Sequence, residues 1–110
     1  MIKWDVVYLE EAEEDFKKLD GSQKKLVRKA LEKIASNPLS INEGGYGKPL
    51  GNKNNNDLSG FLKVKLKSAG IRIVYKVVKT ENSMTVIVIG AREDNEVYDI
   101  AKKRADKLKL

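Results

Sequence analysis

Residues 61–75 constrain this chain more than any other stretch. They read Phe-Leu-Lys-Val-Lys-Leu-Lys-Ser-Ala-Gly-Ile-Arg-Ile-Val-Tyr. Apolar and polar residues alternate through Lys67, the period-2 pattern of a strand with one buried face. Ser68-Ala69-Gly70 then supplies a tight turn, in which Gly70 is free to take a positive φ, and a second strand follows. With Ser68 and Ala69 at the turn, Lys67 faces Gly70 and Lys65 faces Arg72 across the ladder. Lys63, Lys65 and Arg72 then share one face of a sheet, while Leu62, Val64, Leu66, Ile71 and Ile73 share the other. The central object is a hairpin with one apolar face and one cationic face.

The formal net charge is +6 at pH 7, from 22 Lys and Arg against 16 Asp and Glu. Residues 58–79 hold Lys63, Lys65, Lys67, Arg72, Lys76 and Lys79 and no acid, so the basic residues elsewhere are matched one for one by the 16 acids. A field concentrated in this way favours a polyanionic partner, either nucleic acid or an acidic protein segment. The chain has no cysteine, which excludes a disulfide framework and thiolate metal sites. It also has no histidine, which removes the usual general base, the commonest metal ligand and every Ser/His or Cys/His mechanism. No cofactor or metal is expected. The 110 residues suffice for one domain, expected over 1–110, which on folding buries roughly two-thirds of the unfolded surface. No apolar stretch approaches membrane-spanning length and Met1-Ile2-Lys3-Trp4-Asp5 is not a signal peptide, so the expectation is a cytoplasmic protein with no membrane partner.

In chain order, Lys3 to Tyr8 reads as a short strand. Leu9, Ala12, Phe16 and Leu19 then fall at helical spacing, with Glu10, Glu11, Glu13 and Glu14 early, where the helix dipole favours anions. Asp20-Gly21-Ser22 breaks this helix, and Ser22 is the expected N-cap of a second one, which presents Leu26, Val27, Ala30, Leu31 and Ile34 on one face and stops at Asn37-Pro38. The two helices are suited to covering the apolar sheet face, and their charges to a solvated surface. Residues 37–57 read as a long Asn- and Gly-rich connection of the kind that is functional or mobile. Gly44-Gly45-Tyr46-Gly47-Lys48 resembles a phosphate loop only superficially, because the spacing is wrong and Pro49 stands where Ser or Thr is required. After a second turn at 79–83, Met84 to Ala91 is apolar enough for a buried central strand. Asp94 or Asn95 then caps a last helix that turns Val97, Ile100, Ala101 and Leu108 inward. The order is β-α-α-β-β-β-α, an α+β domain with an antiparallel sheet and helices mostly on one side.

Arg92 has the parity of Val86, Val88 and Gly90, and Tyr98 sits in the first turn of the last helix. In a compact sheet Lys63, Lys65, Arg72, Arg92 and Tyr98 can line one concavity. Each also has an ordinary explanation. Alternate lysines are commonly the wet face or protected edge of a sheet, either arginine can pair with Glu93 or Glu96, and Tyr98 can be a core aromatic with its hydroxyl at the rim. Together they make a concentration of like charge whose repulsion the compact state bears unless an anion relieves it. Lys67 and Lys48 are further candidates for contact with RNA or the ribosome.

The segments Leu-Ser-Gly-Phe-Leu-Lys-Val-Lys-Leu (58–66), Ala-Gly-Ile-Arg-Ile-Val-Tyr-Lys-Val (69–77) and Gly-Ala-Arg-Glu-Asp-Asn-Glu-Val-Tyr (90–98) resemble the RelE-type toxins of toxin–antitoxin systems, within the RelE/ParE superfamily. The Gly-x-Arg-Ile-Val-Tyr segment marks the superfamily, whose other branch contains non-enzymatic inhibitors of DNA gyrase; that is the alternative function. The lysine pair before it and the Arg-x5-Tyr after it are more specific to the messenger-cleaving branch. The resemblance implies a RelE/ParE-like fold and catalytic roles for Lys63, Lys65, Arg72, Arg92 and Tyr98. Where close relatives often flank the strand-end arginine with more basic residues, this chain has Ala91 and Asp94. The resemblance further implies mRNA and the ribosome as partners, a cognate RelB-like antitoxin, and repression of operator DNA through that antitoxin. Ile100, Leu108 and Leu110 are candidate antitoxin contacts.

The implied activity is endonucleolytic cleavage of mRNA in the ribosomal A site. With no histidine and no metal cluster, the nucleophile is best taken from the substrate, as a 2′-OH attacking the adjacent phosphorus. Free Lys and Tyr titrate near 10.4 and 10 and are poor bases at neutral pH, but crowded cations disfavour an ammonium and favour a phenolate. Lys65 or Tyr98 is the expected base, Arg72 and Lys63 the phosphate ligands, and Arg92 the group facing the departing oxygen.

Overall fold

In the computed structural model, which describes residues 4–53, 56–91 and 93–109, the alternating run becomes the middle of a five-stranded sheet. β3 (Asn56–Leu66) and β4 (Ile71–Val78) pair antiparallel, with Lys65 opposite Arg72 and Leu66 opposite Ile71, the register that the alternation predicts. The turn closes with Gly70 N–H donating to the Lys67 carbonyl at 3.3 Å, and Gly70 takes φ 66°. A short 3₁₀ turn at Lys79–Glu81 and a left-handed Asn82 lead into β5 (Ser83–Gly90), the next antiparallel strand. Val86 to Ile89 are all buried there, as their apolar run requires.

Two edge strands complete the sheet, the first expected from the sequence pattern and the second not. β1 (Asp5–Tyr8) lies beside β5 and pairs with it in parallel, so the sheet is not wholly antiparallel. Lys3, the expected first residue of that strand, lies outside the described residues. β2 (Lys48–Lys53) falls within the segment read as a connection and forms the opposite edge, giving the order β1-β5-β4-β3-β2. Its Pro, Gly and Asn residues hide it from a pattern search, and an edge position is where a strand tolerates a proline.

α1 (Glu10–Lys17) and α2 (Gly21–Ser36) cover one face of the sheet, packing Ala12, Val27, Leu31 and Ile34 over Ile71, Ile73, Tyr75, Met84 and Val86. α3 (Asp94–Lys107) lies on the other face, where Val97, Tyr98, Ala101 and Ala105 meet Phe61, Val74, Ile87 and Val88. Two of the three helices thus lie on one side, as expected, and α3 on the other makes the sheet a sandwich. β5 carries a bulge between the two layers. Val74 pairs with Val88 and Tyr75 with Val86, leaving Ile87 as the extra residue, so Ile87 and Val88 both feed the α3 layer. The same bulge puts Val86 on the opposite face from Val88, which breaks the parity assumed for Arg92.

The helix ends differ from expectation in three places. Asp20, not Ser22, caps α2: its carboxylate accepts Gln23 N–H at 2.8 Å while the Gln23 side chain accepts Asp20 N–H at 3.1 Å. Ser22 instead donates to the same carboxylate, and these bonds hold the Asp20 carboxyl below the usual range. Glu93, not Asp94 or Asn95, is the N-cap of α3, and Leu108 follows the helix as an exposed residue rather than turning inward. Among the described residues no helix is long and apolar enough to cross a membrane.

The segment before β2 is closely bonded rather than loose. Ile41 N–H donates to the Gly47 carbonyl at 2.8 Å, Gly45 N–H to Ser40 at 2.9 Å and Gly47 N–H to Leu39 at 3.1 Å. It docks on the sheet through Tyr75, whose buried hydroxyl donates to the Pro38 carbonyl at 2.7 Å. Gly47 passes so close that a Cβ there would lie 2.3 Å from that hydroxyl. Burial pushes the Tyr75 phenol far above its ordinary value of 10.0. Replacing Tyr75 by Phe leaves a buried carbonyl without its donor and should cost about 1–3 kcal/mol in urea denaturation. The phenol ionises first in the unfolded chain, so the stability it supplies is complete below about pH 10 and falls as pH rises further. Tyr75→Phe should show a shallower alkaline loss; an unchanged midpoint and pH profile would contradict this role.

Candidate active site

The cationic face of the hairpin is the face on which α3 lies, and α3 leaves part of it open. Lys48 of β2 pairs with Lys63 of β3, which pairs with Val74 of β4, which pairs with Val88 of β5. The next row toward the turn is Lys65, Arg72 and Gly90. Paired residues share a face and lie about 5 Å apart; the two rows are separated by about 6.6 Å along the strand. Four cations thus occupy two rungs of a rigid ladder. Lys48 and Lys65 are exposed and Lys63 and Arg72 half-buried. Gly90, bare of side chain, lets the first turn of α3 approach, since a Cβ there would already lie 3.3 Å from Val97.

Tyr98 completes the group. Its ring is 4% exposed in the α3 layer, and its hydroxyl accepts a hydrogen bond from Lys63 Nζ at 2.5 Å. The same ammonium stands 5.3 Å from the ring centroid. Tyr98 is therefore both a core aromatic and a rim hydroxyl. Arg72 is steadied by a bond from its NH1 to the Gly70 carbonyl at 3.1 Å. The acids Glu93 and Glu96 are exposed at the start of α3, where the helix dipole favours them.

The remaining candidates fall as follows. Lys67 is exposed at the hairpin turn, one step beyond the Lys65 rung. Arg92 lies outside the described residues, as does Leu110. Ile100 is half-buried and Leu108 46% exposed. Two hairpin cations are drawn elsewhere: Lys79 pairs with Glu43 at 2.9 Å, and Lys76 stands 5.4 Å from the ring of Phe61, its cross-strand partner. Among the described residues no three carboxylates converge on a possible metal position.

One ion pair escapes any sequence argument. Asp15 of α1 and Arg104 of α3 meet bidentately, at 2.6 and 3.1 Å, with side chains 16% and 17% exposed. They are 89 residues apart, each in a helix crowded with like charges, so no local signal marks them.

The site and the fold together can be set beside known proteins. No family model matches the chain. It is 31% identical to the mRNA interferase toxin RelE of Escherichia coli over 95 residues, covering 86% of this chain and 90% of that protein. The chain belongs to the RelE toxin family. A solved structure of a doubly arginine-substituted E. coli RelE in the free state superposes with a TM-score of 0.67 at 27% identity, covering 94% of this chain and 98% of that one. The same E. coli variant bound to an antitoxin RelBc peptide gives 0.68 at 25% identity, covering 91% and 95%. In this RelE-family chain the four-cation ladder and the phenol form one continuous patch.

If the Tyr98 hydroxyl serves chemistry rather than folding, Tyr98→Phe should keep the ring buried and stay folded, losing only about 0.5–1.5 kcal/mol in urea denaturation. A loss above about 3 kcal/mol would assign the hydroxyl to the core instead.

Proposed function

We propose that this chain is the toxin of a type II toxin–antitoxin pair and acts as an endoribonuclease, cutting mRNA in the ribosomal A site and arresting translation. The observation that carries the reading is the contact between Lys63 and Tyr98 beside the Lys65–Arg72 rung. A ladder of cations alone is a binding surface. A phenol held by an ammonium at its edge adds a group that can accept and return a proton.

The RNA 2′-oxygen attacks the adjacent phosphorus, forming a P–O bond as the bond to the 5′-oxygen breaks. The 2′-OH proton passes to the base, which for Tyr98 means its phenolate form, and the 5′-oxygen takes a proton from water as it leaves, giving a 2′,3′-cyclic phosphate and a 5′-hydroxyl end. The geometry favours Tyr98 as base over the exposed Lys65. Lys63 occupies one lone pair of the phenol oxygen, so negative charge arising on that oxygen finds its counterion in place. An ammonium has three donors, and Lys63 is assigned a phosphate oxygen as well. Arg72 and Lys65 take the non-bridging oxygens, where fixed charge counts most as the phosphorane forms. Arg92, two residues beyond the Gly90 that pairs with Arg72, is assigned the departing oxygen. The chemistry asks for no metal. Lys48 and Lys67 extend the grip to neighbouring RNA or ribosome.

The RelE variant solved with an antitoxin peptide supports a RelB-like antitoxin for this chain too. That partner would cover the basic site, bind operator DNA in the complex, and share the cytoplasm with the ribosome. Arg72→Ala should lower cleavage about 10²–10³-fold and Tyr98→Phe about 10²–10⁴-fold. The assay is in vitro translation of a defined message with primer extension, on variants shown to be folded. Normal cleavage by either removes that residue from the mechanism. Filamentation with DNA damage and intact messages on induced expression would support gyrase inhibition instead.

A further inference from the structure

We propose that Asp15 and Arg104, which touch none of the ladder cations, are positioning residues that set Tyr98 against Lys63. The inference rests on the nuclease reading above for its catalytic consequence, and on geometry alone for its structural one.

β1 stops at Tyr8, opposite Val86, with Leu9 N–H bonding the Val86 carbonyl at 3.1 Å. Beyond that point no strand among the described residues lies beside the outer edge of β5. Two of its backbone groups are met by side chains: Arg104 NH1 donates to the Ile87 carbonyl at 2.9 Å, and Ile89 N–H donates to Asp15 Oδ2 at 3.1 Å. The ion pair between these side chains then joins α1 on one face to α3 on the other around the sheet edge.

α3 needs such a clamp because its own packing keys it weakly. Besides Tyr98, its buried residues toward the sheet are Val97, Ala101 and Ala105, with the half-buried Ile100 packed beside them. Two alanines give a smooth surface on which a helix can shift or turn with little loss of contact. Arg104 makes three directional charge-assisted bonds, two of them to a carboxylate, that a shift would break. It lies seven residues from Val97, two turns along the same side of α3, so it fixes rotation of the helix as well as its axial position. Tyr98 is the next residue. Its phenol oxygen stands far outside the helix radius of about 2.3 Å, so a small rotation becomes a large displacement at the Lys63 contact. A misplacement of about 1 Å at a reacting group can cost 10²-fold in rate.

The test uses the full chain with three changes, Asp15→Asn, Arg104→Lys and the uncharged double variant Asp15→Asn/Arg104→Gln, which leaves no unpaired buried charge. Ile34→Val, a core change in α2, serves as the stability-matched control. Two readouts are compared: RNA cleavage resolved into kcat and KM, and the ¹³C-tyrosine NMR signal of Tyr98, with Lys63→Met marking its position when the contact is lost. The proposal expects kcat to fall about 10- to 100-fold with KM within about threefold, and the Tyr98 signal to move toward its Lys63→Met position. Ile34→Val should change neither. Unchanged kcat with an unmoved Tyr98 signal overturns the proposal, and so does an equal loss in Ile34→Val. If the wild-type chain cuts no RNA, the nuclease reading fails on its own, and the Tyr98 signal still decides whether the clamp positions the phenol.

Discussion

β5 has to serve two hydrophobic layers at once, and the way it does so shapes the rest of the molecule. An unbroken strand would send Val86 to Ile89 alternately to the two faces. The bulge at Ile87 gives two adjacent side chains to the α3 layer while Val86 and Ile89 remain with α1 and α2. That floor is what allows α3 to lie on the cationic face, and with α3 comes Tyr98. On the uncovered edge of the same stretch, Ile87 and Ile89 take their backbone partners from Arg104 and Asp15. Layering, edge protection and placement of the phenol thus meet along one stretch of one strand.

The site also shows how a small basic protein bears its own repulsion. Lys79 is offset by Glu43, and Lys76 lies over Phe61. Lys63, Lys65, Arg72 and Lys48 remain together on two adjacent rungs of a stiff ladder. Strands hold such charges at fixed spacing with little entropy left to lose on binding, which suits a polyanion whose own charges are regularly spaced.

Much of this was legible in the chain itself. The alternation of Leu62, Val64 and Leu66 with Lys63 and Lys65 specifies both the face and the register of the hairpin, because a one-residue slip would bury the lysines. The bulge was not legible, since it leaves no mark in a run as uniformly apolar as Val86 to Ile89. β2 was hidden by Pro49, Gly51 and Asn52, residues that local preference assigns to loops and that only pairing with β3 holds extended. The N-cap at Asp20 was missed because Ser22 has the right chemistry two residues later, where it serves the same carboxylate. Asp15 and Arg104 could not be found from pattern at all. What singles them out is where they meet, not what surrounds them in sequence.

The central claim is that a lattice of cations with one phenol cuts RNA by making the substrate supply its own nucleophile. The most direct test is a message carrying a single 2′-deoxynucleotide at the scissile position, presented to the wild-type protein on programmed ribosomes beside the all-ribose message. The account predicts that the ribose message is cut to 2′,3′-cyclic phosphate and 5′-hydroxyl ends while the deoxy message stays intact at that site. Cleavage of the deoxy message at the same position and comparable rate would contradict it.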